Sequence, residues 1–180
     1  MNWAQKQRLK FIEYRLYWQG CVNREDVQRY FRVSSPMVSN DFSEYLKLNP
    51  GAMIYDNSLK RYVASGEVVP CLISPAGEDY LLQVALGDHL FDFTPPVTVD
   101  IEPVNSGILR ELVMAIQNGM AVEVNLDGIW QWITPESFMF SKNGWELEAF
   151  QHLSRKWGKV FLRQIKNTGD SRIHTPPDKD

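Results

Sequence analysis

Apolar side chains recur at helical spacing through the first fifty residues, then alternate along much of the last sixty. From Trp3 to Gln19 no Gly or Pro interrupts the chain. Leu9, Ile12 and Leu16 fall three or four apart, and Phe11, Tyr14, Tyr17 and Trp18 widen the apolar face. The spacing predicts a helix stopped by Gly20. Asn23 with Asp26 three residues on makes a capping-box-like opening for a second helix, whose stripe is Val27, Tyr30 and Phe31. Arg32-Val33-Ser34 reads as a turn. Ser35 is the N-cap candidate of a third helix, with Pro36 at the first helical position, where its missing N–H costs nothing. Val38, Phe42, Tyr45 and Leu46 form the core side of that helix, and Asn49-Pro50-Gly51 ends it. Met53-Ile54-Tyr55 and Arg61-Tyr62-Val63 are β-prone and flank Asp56-Asn57-Ser58-Leu59-Lys60, a hairpin loop. Helix, short turn, helix and hairpin is the order of a winged helix-turn-helix.

Residues 67–100 read as a connector punctuated by Pro70, Pro75, Pro95 and Pro96. It carries a short helix over Glu78 to Leu86 and weak alternation at Phe91-Asp92-Phe93 and Val97-Thr98-Val99. A helix follows over Ile108 to Gln117, with Ile108, Leu109, Leu112, Val113 and Ile116 as its stripe and Asn118-Gly119 as its stop. Five strands are predicted next: Met120–Leu126, Ile129–Thr134, Ser137–Phe140, Trp145–Phe150 and Lys159–Ile165. Asp127-Gly128 and Lys142-Asn143-Gly144 supply turns. One helix and five strands fit a small Sm/SH3-like β-barrel. The expected class is α+β, with a winged helix-turn-helix over 1–66, the connector, a helix and barrel over 101–167, and a polar, mobile tail over 168–180.

Charge sharpens this division. Residues 1–66 hold ten Lys/Arg against six Asp/Glu, a net +4, while residues 67–180 hold nine against sixteen, a net −7. A polyanion suits only the N-terminal part. No run approaches the ~18 apolar residues of a membrane span, and the N-terminus lacks a signal peptide's apolar core, so a cytosolic location is expected. Cys21 and Cys71 form no CxxC pair and read as two free thiols. His89, His152 and His174 are too scattered to supply a metal-ligand spacing, so neither metal nor cofactor is expected. Gly-rich phosphate loops, nucleophile elbows and His/Cys/Asp clusters are absent from the sequence, which argues against an enzyme.

The candidate chemistry therefore lies on the third helix. Its outer face carries Pro36, Met37, Asn40, Ser43, Glu44 and Lys47. Asn reads adenine bidentately, and small hydroxyls let a helix approach base edges. Asn40, with Ser35, Ser39 and Ser43 nearby, is the first choice for base readout. The same polar face is what any surface helix shows. Asn57, Lys60 and Arg61 on the wing and Arg24 at the start of the second helix are candidates for phosphate contact. Asp41 reads instead as an internal hydrogen-bond or ion-pair partner.

Two runs carry a family resemblance: Ser35-Pro36-Met37-Val38-Ser39-Asn40-Asp41 with Tyr45, and Tyr55-Asp56-Asn57-Ser58-Leu59-Lys60-Arg61-Tyr62. With Arg15-Leu16, Trp18, Gly20 and Val22-Asn23-Arg24, they resemble the N-terminal domain of WYL-domain transcriptional regulators, in particular those found beside phage-defence systems of the BREX and CBASS kinds. The resemblance covers most of residues 8–63. It implies a sequence-specific repressor that binds inverted repeats in double-stranded DNA as a homodimer. The C-terminal part is similar to the WYL domain through Ile133-Thr134-Pro135-Glu136, Gly144-Trp145-Glu146-Leu147-Glu148-Ala149-Phe150 and Phe161-Leu162-Arg163-Gln164-Ile165.

The family's sensing pocket uses polar and basic side chains for a nucleic-acid or nucleotide ligand. Here Glu136, Glu146, Glu148 and Gln164 stand at its His, Tyr, Arg and last-strand Arg positions, beside Trp145. Arg163 is one residue away, on the opposite face if the segment is a strand. Three carboxylates repel a phosphate, so the usual anionic ligand is not expected to bind. The acids read as a solvated strand face, or as a site for a cationic group or a partner's basic patch. The family's further C-terminal extension, which helps dimerisation, is expected to be missing, placing any dimer interface elsewhere. Trp3, Phe11, Tyr14, Tyr17 and Trp18 are candidates for it, or for core packing against the second domain. The competing function is a protein-interaction module built on a winged helix and a degenerate WYL domain.

Overall fold

The computed structural model describes residues 1–66, 68–86, 103–141 and 144–179. The chain forms two compact units, Met1–Pro75 and Ala76–Asp180. The stretch read as a connector is divided between them. Its weakly alternating segments at 91–93 and 97–99 lie outside the described residues, as do Lys142 and Asn143 of the expected turn.

In the N-terminal unit α1 (Trp3–Gln19) opens at Asn2, whose side chain accepts from the Gln5 N–H, and closes at Gly20 in the left-handed region (φ 74°). A short strand β1 (Cys21–Val22) follows; at two residues it leaves no periodic signal in the sequence. In α2 (Arg24–Phe31) the Asn23 side chain accepts from the Asp26 N–H, and the Asp26 carboxylate accepts from the Asn23 N–H. The turn 32–34 leads to α3 (Ser35–Leu48). Its N-cap is Ser34 rather than Ser35: Ser34 has extended backbone, and its carbonyl accepts the first helical bond, from the Val38 N–H at 3.1 Å. Ser35 and Pro36 thus both sit in the first turn.

The wing is β2 (Met53–Asp56) paired antiparallel with β3 (Arg61–Ala64), and β1 completes a sheet of order β1-β3-β2. Asp56 shapes the loop by accepting from the Ser58 and Leu59 N–H groups, and Lys60 closes it at φ 53°. The core gathers Leu9, Ile12, Leu16, Trp18, Val27, Val38, Phe42 and Tyr45, each 2 % exposed or less. At about 1.5–3 kcal/mol per large buried apolar side chain, this cluster is the main source of the unit's stability. Phe11 and Trp18, offered as interface candidates, are buried here, whereas Trp3 is 65 % exposed.

The C-terminal unit begins with α4 (Gly77–Leu86) and α5 (Ser106–Asn118), the latter capped by Asn105 and stopped by Gly119 at φ 61°. Five strands follow: β4 (Met120–Leu126), β5 (Ile129–Ser141), β6 (Gly144–Gln151), β7 (Lys156–Phe161) and β8 (Ile165–Ile173). They form an antiparallel sheet of order β7-β6-β5-β4-β8, with α5 packed on β4, β5 and β8. The sheet is open, not closed into the expected barrel, because β7 and β8 lie at opposite edges.

Three local expectations also change. The segments 129–134 and 137–140 are one strand. Glu136 is the extra residue of a bulge between Pro135, which pairs with Ala149, and Ser137, which pairs with Glu148, so the proline passes through without ending the strand. Residues 159–165 are not one strand either, since a 3₁₀ turn (Leu162–Gln164) separates β7 from β8. Finally, residues 168–173, read as tail, continue β8 along β4. The Asp127-Gly128 turn is as expected, with both residues at positive φ (48° and 98°) between the paired Leu126 and Ile129.

Candidate nucleic-acid interface

Of the expected core side of α3, Val38, Phe42 and Tyr45 are buried and Leu46 is half-buried; Asp41 is buried beside them. This fixes the opposite side. Ser35, Met37, Asn40, Ser43 and Lys47 are exposed and Ser39 is half-buried. Met37, Asn40, Ser43 and Lys47 follow at intervals of three, three and four, a single stripe along the helix.

Two buried anions hold this helix in place. Asp41 is wholly buried and receives the Arg8 guanidinium of α1 through Nε at 2.5 Å and a second nitrogen at 3.1 Å. This is the internal pairing expected for Asp41. Glu13 of α1 is also wholly buried. It accepts from the Tyr45 hydroxyl at 3.2 Å and from the N–H groups of Cys71, Leu72 and Ile73 at 2.9, 2.6 and 2.8 Å. Burial first, and then Glu13, raise the Tyr45 pKa and push the Cys71 thiol up to about 11, so neither group ionises near neutrality. Arg8 and Glu13 were not singled out from the sequence. Within a helical pattern a charged residue facing inward looks like a break in the apolar stripe until its partner is known.

Aromatic packing joins α3 to the wing. Phe42 lies 4.6 Å from Tyr62 on β3, which lies 5.0 Å from Tyr55 on β2. Arg24, at the start of α2, donates to the Tyr62 hydroxyl at 3.0 Å and lies 5.8 Å over its ring. It is therefore exposed but tied to the wing. Asn57 and Lys60 are exposed and Arg61 is half-buried. Lys47 forms an ion pair with Glu44 at 2.6 Å, and the Ser43 hydroxyl donates to the Ser39 carbonyl at 3.0 Å. Among the described residues the Asn40 and Lys60 side chains have no intrachain hydrogen-bond or ion-pair partner.

The positions read as ligand-sensing lie in the other unit, on β5, β6 and the 3₁₀ turn. Glu146 and Glu148 project from one side of β6, as their spacing requires, and Trp145 is buried 5.2 Å from Phe140. The carboxylates are not bare, however. Glu146 is only 6 % exposed and meets the Ser141 hydroxyl at 2.8 Å and Lys159 at 3.2 Å; these partners, Ser141 foremost, lower its pKa against the opposing effect of burial. Glu136 and Glu148 both contact Lys179, at 3.1 Å from Glu148. The expected cluster of repelling acids is thus a set of internal ion pairs. Arg163 is not on the far face of a strand. In the 3₁₀ turn strand alternation does not apply, and its guanidinium lies 4.3 Å over the Phe161 ring. Gln164 bridges the Phe161 N–H and Asp127. Among the described residues no three His, Cys, Asp or Glu gather as metal ligands.

Residues 4–86 match the family described as the BrxR transcriptional regulator winged helix-turn-helix domain, and the N-terminal unit has that architecture. The chain is 30% identical to the DNA-binding transcriptional repressor CapW of Escherichia coli, over 91% of this chain and 60% of that protein. It is 29% identical to the CapW repressor of Pseudomonas aeruginosa, over 92% and 61%, and 25% identical to that of Stenotrophomonas maltophilia, over 84% and 56%. The chain spans about 60% of the length of the first of these curated relatives.

Proposed function

We propose that this chain is a sequence-specific DNA-binding transcriptional repressor that reads base edges with α3. The observation that carries the reading is the exposed stripe Met37, Asn40, Ser43 and Lys47 beside a wing tipped by Lys60, on a helix whose other side is locked by Asp41 and Tyr45. A helix held this firmly meets the bases without reordering. Asn40 offers the paired donor and acceptor that adenine needs. Lys60 and Arg61 contact phosphate, and Arg24 braces the wing. Two copies would set their helices about 34–36 Å apart on an inverted repeat. The names of the relatives support the repressor role.

A gel shift with the DNA immediately upstream of the chain's own gene, repeated at rising salt, tests this. A specific complex that outlasts competition by random DNA is expected. Equal competition by random DNA sinks sequence-specific regulation. The runner-up reading, a winged helix that binds protein, is supported by the exposure of the apolar Met37 on α3 and of Ile54, Tyr55 and Leu59 on the wing. No shift with any DNA would select it.

With Glu146 paired to Lys159 and Glu148 to Lys179, the sensing positions on β6 offer an anion little uncompensated positive charge. Titration calorimetry with short single-stranded DNA and cyclic nucleotides should show no micromolar binding.

A further inference from the structure

Register places Thr134, Phe150 and Trp157 side by side across β5, β6 and β7, on the side of β6 that also carries Glu146 and Glu148. The segment after β8 lies against these residues. His174 stacks on Phe150 (6.1 Å, 15°) and its Nδ1 is 3.2 Å from the Thr134 hydroxyl, to which His152 also approaches at 2.9 Å. Three residues on, the Trp157 indole N–H donates to the Pro177 carbonyl at 3.0 Å. Two further on, the Lys179 ammonium sits 4.8 Å over the Trp157 ring, 3.1 Å from Glu148 and against the Glu136 carboxylate.

These contacts have a common logic. An indole face and two carboxylates together make a cage for an ammonium group, the aromatic wall supplying a favourable face where solvent would otherwise lie. Indole N–H donation to a proline-segment carbonyl is how aromatic grooves hold stiff, extended chains. Pro176 and Pro177 restrict φ and so reduce the entropy lost on docking. Glu136, brought out of register by its bulge, and Glu148 are two of the positions that the family resemblance assigns to ligand sensing.

We propose that this sheet face is a docking groove for an extended, proline-containing segment bearing a lysine. Residues 174–179 of this chain are its resident occupant and cover the sensing positions in place of an external ligand. The inference stands on the C-terminal unit alone and is independent of the DNA-binding reading.

The test uses the whole chain with 15N-labelled indoles, the Trp157 signal being assigned by its loss in Trp157→Phe. Hydrogen exchange of that indole proton should quicken about fivefold or more in Lys179→Ala and in the double variant Glu136→Gln/Glu148→Gln, as expected when a cation–π contact and two ion pairs are lost. An unlabelled peptide copying residues 172–179, added at millimolar concentration, should shift the Trp157 signal in Lys179→Ala and leave the wild-type chain unmoved. Unchanged exchange in both variants overturns the proposal, as does a peptide that shifts both chains equally or neither. Protection that depends on protein concentration would also overturn it, making a second copy's segment the occupant.

Discussion

On α3 the Asn40 amide and, on the wing, the Lys60 ammonium face solvent without an intrachain partner among the described residues. On β6 each glutamate meets a lysine of the same chain. Both surfaces are rich in polar groups, so composition alone does not tell them apart. The difference lies in what has already been satisfied. A donor left open on a rigid element is available to an external ligand, whereas a carboxylate paired at 3.1 or 3.2 Å must first give up its partner. The open surface is also firmly mounted: the helix beneath Asn40 rests on a buried ion pair and a buried carboxylate that accepts from four residues.

Breaking that mount should give the largest effect. Asp41→Ala leaves the Arg8 guanidinium buried without its anion, and removing one member of a buried pair costs about 3–5 kcal/mol. Urea unfolding should show a loss of this size. Replacing both residues with apolar ones of similar volume (Arg8→Met with Asp41→Leu) should cost markedly less, because no charge is then stranded. If the double change costs as much as the single one, packing rather than charge holds α3.

The open surface itself is tested next. Lys60→Ala should weaken binding to every DNA sequence by about tenfold and lower the salt slope by about one unit, as for a lost phosphate contact. Asn40→Ala should leave the salt slope alone and cost about 1–3 kcal/mol at a single base position. Salt-dependent affinities for an operator and its point variants measure both. Identical behaviour of the two variants would remove the distinction between a wing that positions and a helix that reads.

Much of the N-terminal unit was legible because its signals are local. Gly20, the Asn23/Asp26 box and the 3.6-residue stripe each act within one turn, and they locate α1, α2 and the turn before α3. The outer face of α3 follows from its inner face. Partners distant in sequence were not legible. Glu13 meets Cys71, Leu72 and Ile73 some sixty residues away, and Lys179 meets Glu136 across forty-three. The same limit made the acids of β6 look bare. In the second sheet, alternation found β4, β5 and β6 but not the join within β5 or the break between β7 and β8, and it missed most of β8, since a bulge at Glu136 and a 3₁₀ turn at Leu162–Gln164 change the period without a Gly or Pro stop of the expected kind.

A smaller effect should appear in the C-terminal unit on acidification. Burial first, then the neighbouring His174 and Arg172, push the His152 pKa below its ordinary 6.5. As pH falls, the unfolded chain therefore takes up this proton before the folded one. The contribution is fully present above about pH 6.5 and is lost as pH falls from there toward the depressed folded value. Urea midpoints measured from about pH 7.5 to about pH 5.5 should fall less steeply in His152→Gln than in the wild type. Parallel curves would assign the acid sensitivity to other groups.

The smallest effect is expected from Lys47→Ala, and it sharpens the comparison from within α3. Lys47 lies on the exposed stripe with Asn40, yet its ammonium is 2.6 Å from Glu44, one turn back. An exposed helical pair of this kind is worth only about 0.3–0.5 kcal/mol, so DNA could capture the lysine, but only by leaving Glu44 beside the phosphates. The two contributions oppose each other. Lys47→Ala should therefore lower affinity by less than about threefold, well short of the loss at the unpaired Lys60. Glu44→Gln, which frees Lys47 and removes the nearby negative charge, should strengthen binding and steepen its salt dependence. A tenfold loss in Lys47→Ala would show that pairing within the chain does not decide which cations on this surface reach DNA.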